Sequence, residues 1–498
     1  MLLLPLCVFA GQEPDLNGEQ PSTNNEQRTT NNEQLSPAAR RAYAELLKLR
    51  TGTAQALARA ELRRQPGSPG ALLVAEGAGF AELVISQDAA RYPAITAQQT
   101  AALTALDAQP RSALRDYVRA EIRLHQAVAQ VMFGHELQGA WSLRQAYQQV
   151  QQNARRWPGY LPTVKTLGLC EFLIGSVPEN YRWFLNLLGL PGNTEAGLQH
   201  LRQAAQRPHD FQPEAQVLLA LIRQTYYGAD AEATALVARL SREQPDNLLF
   251  SYLGMSVQKK QHHAEAALAY YRARPTGPTY VPAAYLHHMA ADLLLYQGQY
   301  AASERANQLF LSEYRGVHYR KDAWFKLYLA YWLGGEPDQA ERSRQQIGKG
   351  GDTTVEEDRY AQRFVDDQLP LNRQLTRARL QIDGGYYRPA LATLNEFRST
   401  AATPLRDRLE EPYRRARAYH GLQRLDSARL YYARCLTLSG TAPYYFAPQS
   451  ALQLGYLSLE AGQKAQARAY FEKALSYGKH EYKTSTDAKA KVALAGLK

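Results

Sequence analysis

The sequence predicts an all-α solenoid, a chain of helix pairs stacked side by side, and three observations predict it. From Pro37 onward the chain is rich in Ala, Leu and Gln, and its apolar positions recur three and four apart, the spacing of one helix face. Gly or Pro interrupts these runs about every 15 to 20 residues, the length of one helix and its turn. No stretch alternates β-branched with polar residues, so a sheet has no source.

Composition narrows the class further. With 45% apolar and 21% charged residues over 498 positions, the chain has the balance of a folded protein. Three cysteines, Cys7, Cys170 and Cys435, are too few and too far apart for a disulfide framework or a C-x-x-C zinc or redox site. No run of 18 apolar residues is present, so no transmembrane helix is expected. The net charge of +11 raises the question of a nucleic-acid footprint, which needs basic residues gathered on one face. They are spread out instead. Even the densest stretch, Arg373 to Arg434, is interleaved with Asp383, Glu396, Asp407, Glu410, Glu411 and Asp426, the pattern of a salt-bridged helix surface. Nucleic acid is therefore not expected as a partner.

The elements follow in order. Residues 1–10 (MLLLPLCVFA) read as a truncated signal peptide: an apolar core closing on Val8-Phe9-Ala10, without a basic n-region, as a start assigned too far downstream would produce. A lipidated Cys7 would need small residues before it, and Leu4-Pro5-Leu6 stand there. The expected location is exported, periplasmic or outer-membrane associated, with cytoplasmic as the alternative. Residues 11–35 are polar, repeat Asn-Asn-Glu-Gln, and read as a disordered linker. Residues 36–210 read as irregular helical repeats interrupted by an insertion at 177–193, and residues 211–498 as a regular array.

The last unit of that array shows the repeat most clearly. Gly455 in a first helix and Ala467 in a second let the two helices approach, Gly462 turns the chain, and Phe471 fills the groove to the next pair. Second-helix small residues recur as Ala428, Ala390, Ala340, Ser303, Ala266 and Ala233, and first-helix ones as Ala416, Ala378, Ala291 and Gly254. Gly298-Tyr300-Ser303 and Gly385-Tyr387-Ala390 repeat the turn, while Tyr270 and Tyr432 repeat the aromatic. This resembles the tetratricopeptide repeat, which implies a right-handed α-solenoid of helix pairs. Departures are Tyr328 at a small position, Asn307 and Arg344 at aromatic ones, and the long step from Ala340 to Ala390, which leaves room for a loop or an extra turn.

Upstream, Pro162 to Ile174 and Glu195 to Ala204 read as one helix pair split by the insertion. Its Pro178, Asn180, Tyr181, Trp183, Gly189 and Gly192 resemble a bacterial tetratricopeptide family of unknown function, and the Gly189 to Gly197 turn is weakly similar to the tetratricopeptide repeat protein 39 and Iml2 group. Neither resemblance implies catalytic residues.

Chemistry has few candidates. His262-His263 and His287-His288 are adjacent pairs, about 100° apart on a helix, and cannot grip one ion, so no metal is expected. Ser256-x-x-Lys259 lacks the companion motifs of its hydrolase class, and Gly348-Lys-Gly-Gly351 lacks a phosphate-loop frame, so no cofactor is expected either. The acidic clusters at Glu356 to Asp358, Asp366-Asp367 and Glu410-Glu411 suit helix first turns and solvated faces.

What remains is the concave surface that the resemblance assigns to first helices. It comprises Tyr285, His288 and Tyr296; Phe325, Leu329 and Trp332; Arg379; Tyr413, Arg417 and His420; and Tyr456. Tyr, Trp and Arg anchor interfaces, although aromatics at this spacing also pack between pairs. The carboxylate-clamp Lys and Asn of chaperone-binding members are missing. The expectation is a non-enzymatic scaffold for a protein or peptide partner. Alternatives are a SusD-like glycan-binding lipoprotein, and an enzyme sited near 161–204 on Cys170, Glu171 and Asn180.

Overall fold

The computed structural model describes residues 34–176, 189–190, 192–440 and 442–497. The leader, most of the linker, and Pro178, Asn180, Tyr181 and Trp183 of the insertion lie outside them. The described residues form 24 α-helices and one short 3-10 helix (Ala89–Arg91), without a strand.

Nine helix–turn–helix pairs share one rule. At the turn a residue takes a left-handed conformation, and five residues later a small, buried residue lets the second helix lie against the first. The turn residues are Leu49, Gly134, Gly228, His262, Gly298, Gly335, Gly385, Gln423 and Gly462, with φ between 58° and 91°. The buried partners are Ala54, Gly139, Ala233, Ala267, Ser303, Ala340, Ala390, Ala428 and Ala467. A larger side chain at these positions would push the helices apart.

In chain order the first pair is α1 (Pro37–Leu47) with α2 (Thr51–Arg64). An apolar helix α3 (Pro69–Ser86) and α4 (Tyr92–Asp107) precede the pair α5 (Ala113–Met132) and α6 (Glu136–Arg156). The pair α7 (Leu161–Gly175) and α8 (Thr194–Gln206) follows, then α9 (Gln212–Tyr227) with α10 (Asp230–Glu243) and α11 (Leu248–Lys260) with α12 (Ala264–Ala273). Next come α13 (Tyr285–Gln297) with α14 (Tyr300–Glu313) and α15 (Arg320–Gly334) with α16 (Pro337–Ile347). A single helix α17 (Glu356–Asp366) precedes α18 (Arg373–Asp383) with α19 (Tyr387–Glu396). Last are α20 (Leu405–Gly421) with α21 (Leu425–Ser439), α22 (Phe446–Glu460) with α23 (Lys464–Ser476), and α24 (Lys483–Ala495).

Four readings change against this frame. The turn rule extends into residues 36–210, where Leu49 and Gly134 obey it, so that stretch is less irregular than its composition suggests. In the α11–α12 unit the small position moves by one, since Ala267 is buried while Ala266 is exposed, whereas the aromatic is Tyr270 as read: it packs on Gly254 as Phe471 packs on Gly455. The long step from Ala340 to Ala390 holds a whole extra helix, α17. Leu35, read as the end of the linker, is 3% exposed, and its N–H donates to Asp210 at 2.7 Å.

Helix α3 is long and apolar enough to cross a membrane by length and composition, yet 72% of it is buried inside the fold. Its Glu76 accepts from Gln99 (2.9 Å) and lies 2.8 Å from His125 of α5. The α7–α8 crossing depends on glycine: a Cβ on Gly197 would stand 2.6 Å from the Phe172 nitrogen, and one on Gly192 would stand 2.0 Å from that of Gly175.

The array curls back on itself. The α1–α2 turn meets the α10–α11 connection, where Lys48 and Arg50 pair with Asp246 at 2.9 and 3.2 Å. The Leu248 and Val281 amides donate to the carbonyls of Lys48 and Leu49. Farther along, the Tyr314 hydroxyl donates to Gln87 at 2.7 Å. After the detour through α17, helix α18 returns to α13, and the Ala264 amide donates to the Gly384 carbonyl.

Candidate functional site

This curvature brings two cavities to the inner face. The larger, about 490 Å³, lies where α3 and α5 approach α11, α13 and the start of α15. The smaller, about 330 Å³, lies among α18, α20, α21 and α22. His262, in the α11–α12 turn, borders both.

Of the residues expected on the concave surface, Tyr285 and Tyr296 line the larger cavity, and Tyr413, Arg417 and His420 the smaller. Arg417 reaches Asp383 at 3.1 Å. Burial opposes the Asp383 charge, and Arg417 with Arg414 and Arg379 outweighs it, holding that carboxyl below its ordinary range. Burial keeps the His420 imidazole below its ordinary value, and its Nδ1 lies 3.4 Å from the Tyr432 hydroxyl.

The other expected positions line neither cavity, and two of them, Phe325 and Leu329, are corrected. Phe325 and Leu329 are 1% and 0% exposed, core residues beneath α17; the Phe325 ring meets Phe364 at 4.9 Å and Tyr360 at 5.5 Å. Trp332 is half-buried and stacks on Tyr328, the bulky residue at the small position. Arg379 sits beside the Tyr360 ring, 6.0 Å from its centroid, and Tyr456 packs edge-on against Phe471 at 5.3 Å. Gly189 takes the left-handed conformation at φ 62°, whereas Gly192 serves close approach, so these two act in the chain path.

His288 is 2% exposed and joins a buried polar network rather than a surface. Its Nδ1 lies 3.0 Å from Asn307, which occupies the aromatic position, and its Nε2 lies 3.1 Å from Asp322. His288, Asp292 and Asp322 are close enough to share a cation. Lysines already fill that role: Lys259 and Lys326 reach Asp292 at 2.5 and 2.7 Å, and Lys326 reaches Asp322 at 3.4 Å. Burial pushes these carboxyls up, and the ammonium groups outweigh it and hold both ionised. An added ion would have to expel lysines from a desolvated site, so the cluster reads as a structural charge network.

In the 161–204 segment, Cys170 is buried, and burial pushes its thiol up to about 12, the reverse of an activated nucleophile. Glu171 is engaged with His200 at 2.8 Å.

Sequence reasoning missed the cavity walls contributed by Leu49, Val84 and Met132, which lie more than a hundred residues from the helices they face. No local pattern marks them. His262 had a readable signal: it stands where neighbouring turns carry glycine.

No family model matches the chain, and no curated protein matches it in sequence. Among solved structures it is similar to a tetratricopeptide repeat protein from Parabacteroides merdae, at 17% identity and TM-score 0.25 over 57% of this chain and 98% of that one. It is also similar to the human IFIT1 dimer with PPP-AAAA, at 16% identity and TM-score 0.35 over 88% and 93%. A third is the P58(IPK) TPR domain, at 12% identity and TM-score 0.22 over 82% and 93%. Likeness this distant carries no argument about partners. The nine turns of one spacing do define the architecture: the chain is an all-α solenoid built of tetratricopeptide-type helix pairs.

Proposed function

We propose that the chain is a non-enzymatic scaffold that holds an extended protein or peptide segment along its inner face. One observation carries this reading: residues from separate helix pairs, Tyr296, Tyr387, Tyr413, Arg417 and His420, converge around two cavities that both border His262. Tyr and Arg bury large areas at low entropic cost and are the residue types that dominate binding hot spots. An exported location is part of the proposal and rests on the apolar segment Met1 to Ala10.

Site-specific photocrosslinking in the native cell tests it. A crosslinker at Arg417 or His420 should capture a protein partner that the same group at the outward-facing Leu309 (39% exposed) does not. Equal capture from both positions, or none from the inner face, would reject the inner face as the binding surface.

A further inference from the structure

The two cavities differ in their walls: Leu248, Leu286 and Met289 stand in the larger, and Tyr387, Tyr413 and Tyr432 in the smaller. We propose that the smaller cavity is a specificity pocket for one uncharged aromatic side chain of the bound segment, a tyrosine in particular. This rests on the scaffold reading and deepens it, since it names the residue a segment must carry to be held. At about 330 Å³ the cavity lies at the low end of the range for ligand pockets, about 300–1,000 Å³. That is room for one large side chain, not for a folded element.

Three separate helices supply the rings. The Tyr413 ring of α20 and the Tyr432 ring of α21 lie 6.3 Å apart, tilted by 55°, and the Tyr432 hydroxyl lies 3.4 Å from the His420 Nδ1. Tyr387, at the start of α19, reaches the last residue of α20, where glycine makes room for it. A Cβ on Gly421 would stand 2.2 Å from the Tyr387 Cζ. Ring walls of this kind favour a flat guest, because aromatic pairs gain stability beyond the area they bury.

Electrostatics turns ionised side chains away. Arg417 is met by Asp383 at 3.1 Å, so an acidic guest would compete with Asp383 and a basic one would face Arg417. Burial holds the His420 imidazole below its ordinary value, so it adds no charge at neutral pH. Hydrogen bonding then separates tyrosine from an aliphatic guest. The His262 Nδ1 lies 2.9 Å from the Asp383 carbonyl, which only accepts, so the neutral ring keeps its Nε2 as an acceptor. The Gln453 amide adds donors. A phenol hydroxyl has a proton for the first and lone pairs for the second, whereas an aliphatic guest would cover both without meeting either.

The test titrates the full chain with the N-acetyl amides of tyrosine, phenylalanine, leucine, lysine and glutamic acid, read by saturation-transfer NMR. The tyrosine amide should bind at least tenfold more tightly than those of leucine, lysine and glutamic acid, and at least threefold more tightly than that of phenylalanine. Two variants act on the pocket from different helices. Gly421→Ala displaces the Tyr387 ring, and Gln453→Phe fills the space from α22. Each should weaken the tyrosine amide at least tenfold while retaining helical circular dichroism. No detectable tyrosine-amide binding, equal binding of the leucine amide, or wild-type binding in both variants overturns the pocket; equal binding of the phenylalanine amide overturns the part assigned to the hydroxyl. The crosslinker at His420 tells this failure from failure of the scaffold reading. Partner capture without a tyrosine preference rejects the pocket alone, and absence of inner-face capture rejects the scaffold on which it rests.

Discussion

At the scale of single residues, much of the fold's specificity resides in polar groups whose hydrogen bonds demand one protonation state. His209, in the α8–α9 connection, is the clearest. Its Nε2 lies 3.0 Å from the Ala204 carbonyl, and its Nδ1 lies 3.3 Å from the Phe211 amide, which donates to it. Only the neutral imidazole, protonated on Nε2, satisfies both, and burial holds its pKa down at about 4. Because the folded value lies below the ordinary 6.5, this group's stabilisation is present above pH 6.5 and is lost as pH falls toward 4. The shift sets a ceiling of about 3 kcal/mol, and partial solvent access reduces it to about 1–2 kcal/mol. Urea denaturation at pH 7.5, 5.5 and 4.5 checks this: the wild type should lose that much more than His209→Gln, and parallel losses would assign the acid sensitivity elsewhere. The network at His288 shows a related substitution of chemistry for packing. Asn307 is 0% exposed where other repeats carry Phe471 or Tyr432, and the space is used by a His–Asn–Asp chain instead of a ring.

At the scale of elements, helix pairing was legible because it depends on local residues: a turn, and a small residue five positions on. Where glycine marks the turn, as at Gly298, Gly385 and Gly462, the register reads correctly from the sequence. Where His262 takes the left-handed conformation without that mark, the small position is misread by one, and Ala266 is named for Ala267. Helix α17 was not legible, since its short amphipathic run, rich in acidic residues at its start, resembles the solvated clusters around it. It is held by aromatic contact, Phe364 and Tyr360 closing over Phe325. The same contact removes Phe325 from the candidate binding surface. Phe325→Ala should therefore cost about 3–5 kcal/mol in urea denaturation, the usual cost of emptying a buried Phe site. It should also accelerate amide exchange across Glu356 to Asp366 more than across α22 and α23. Trp332→Ala, at a half-buried position, should be milder. An unaltered stability for Phe325→Ala would return that residue to the inner surface.

At the scale of the whole molecule, a solenoid's stability is mostly a sum over neighbouring pairs, so contacts between its distant turns determine shape more than survival. The contact between residues 48–50 and 246–281 is of that kind. Lys48 and Arg50 both reach Asp246, whose own carbonyl accepts from the Tyr280 hydroxyl at 2.7 Å, and the Arg50 guanidinium lies 5.0 Å from the Tyr280 ring centroid. Sequence patterning gives no hint of this closure, because the partners are some 200 positions apart and each looks like an ordinary surface charge. Asp246 is 40% exposed in its side chain, so the ion pairs are worth at most about 1 kcal/mol and are screened by salt. Asp246→Lys replaces two attractions with two repulsions while leaving every helix pair intact. The expected outcome is a melting temperature close to wild type, together with faster amide exchange at Leu248 and Val281, the residues that bond to the α1–α2 turn. Added salt should narrow the difference between variant and wild type, since the repulsion is exposed to solvent. If exchange at those two amides were unchanged, the backbone hydrogen bonds and the Tyr280 contact would be sufficient to keep the turns together without the charges. A large fall in melting temperature would instead show that the two turns fold as one cooperative unit rather than as neighbours in a curled array.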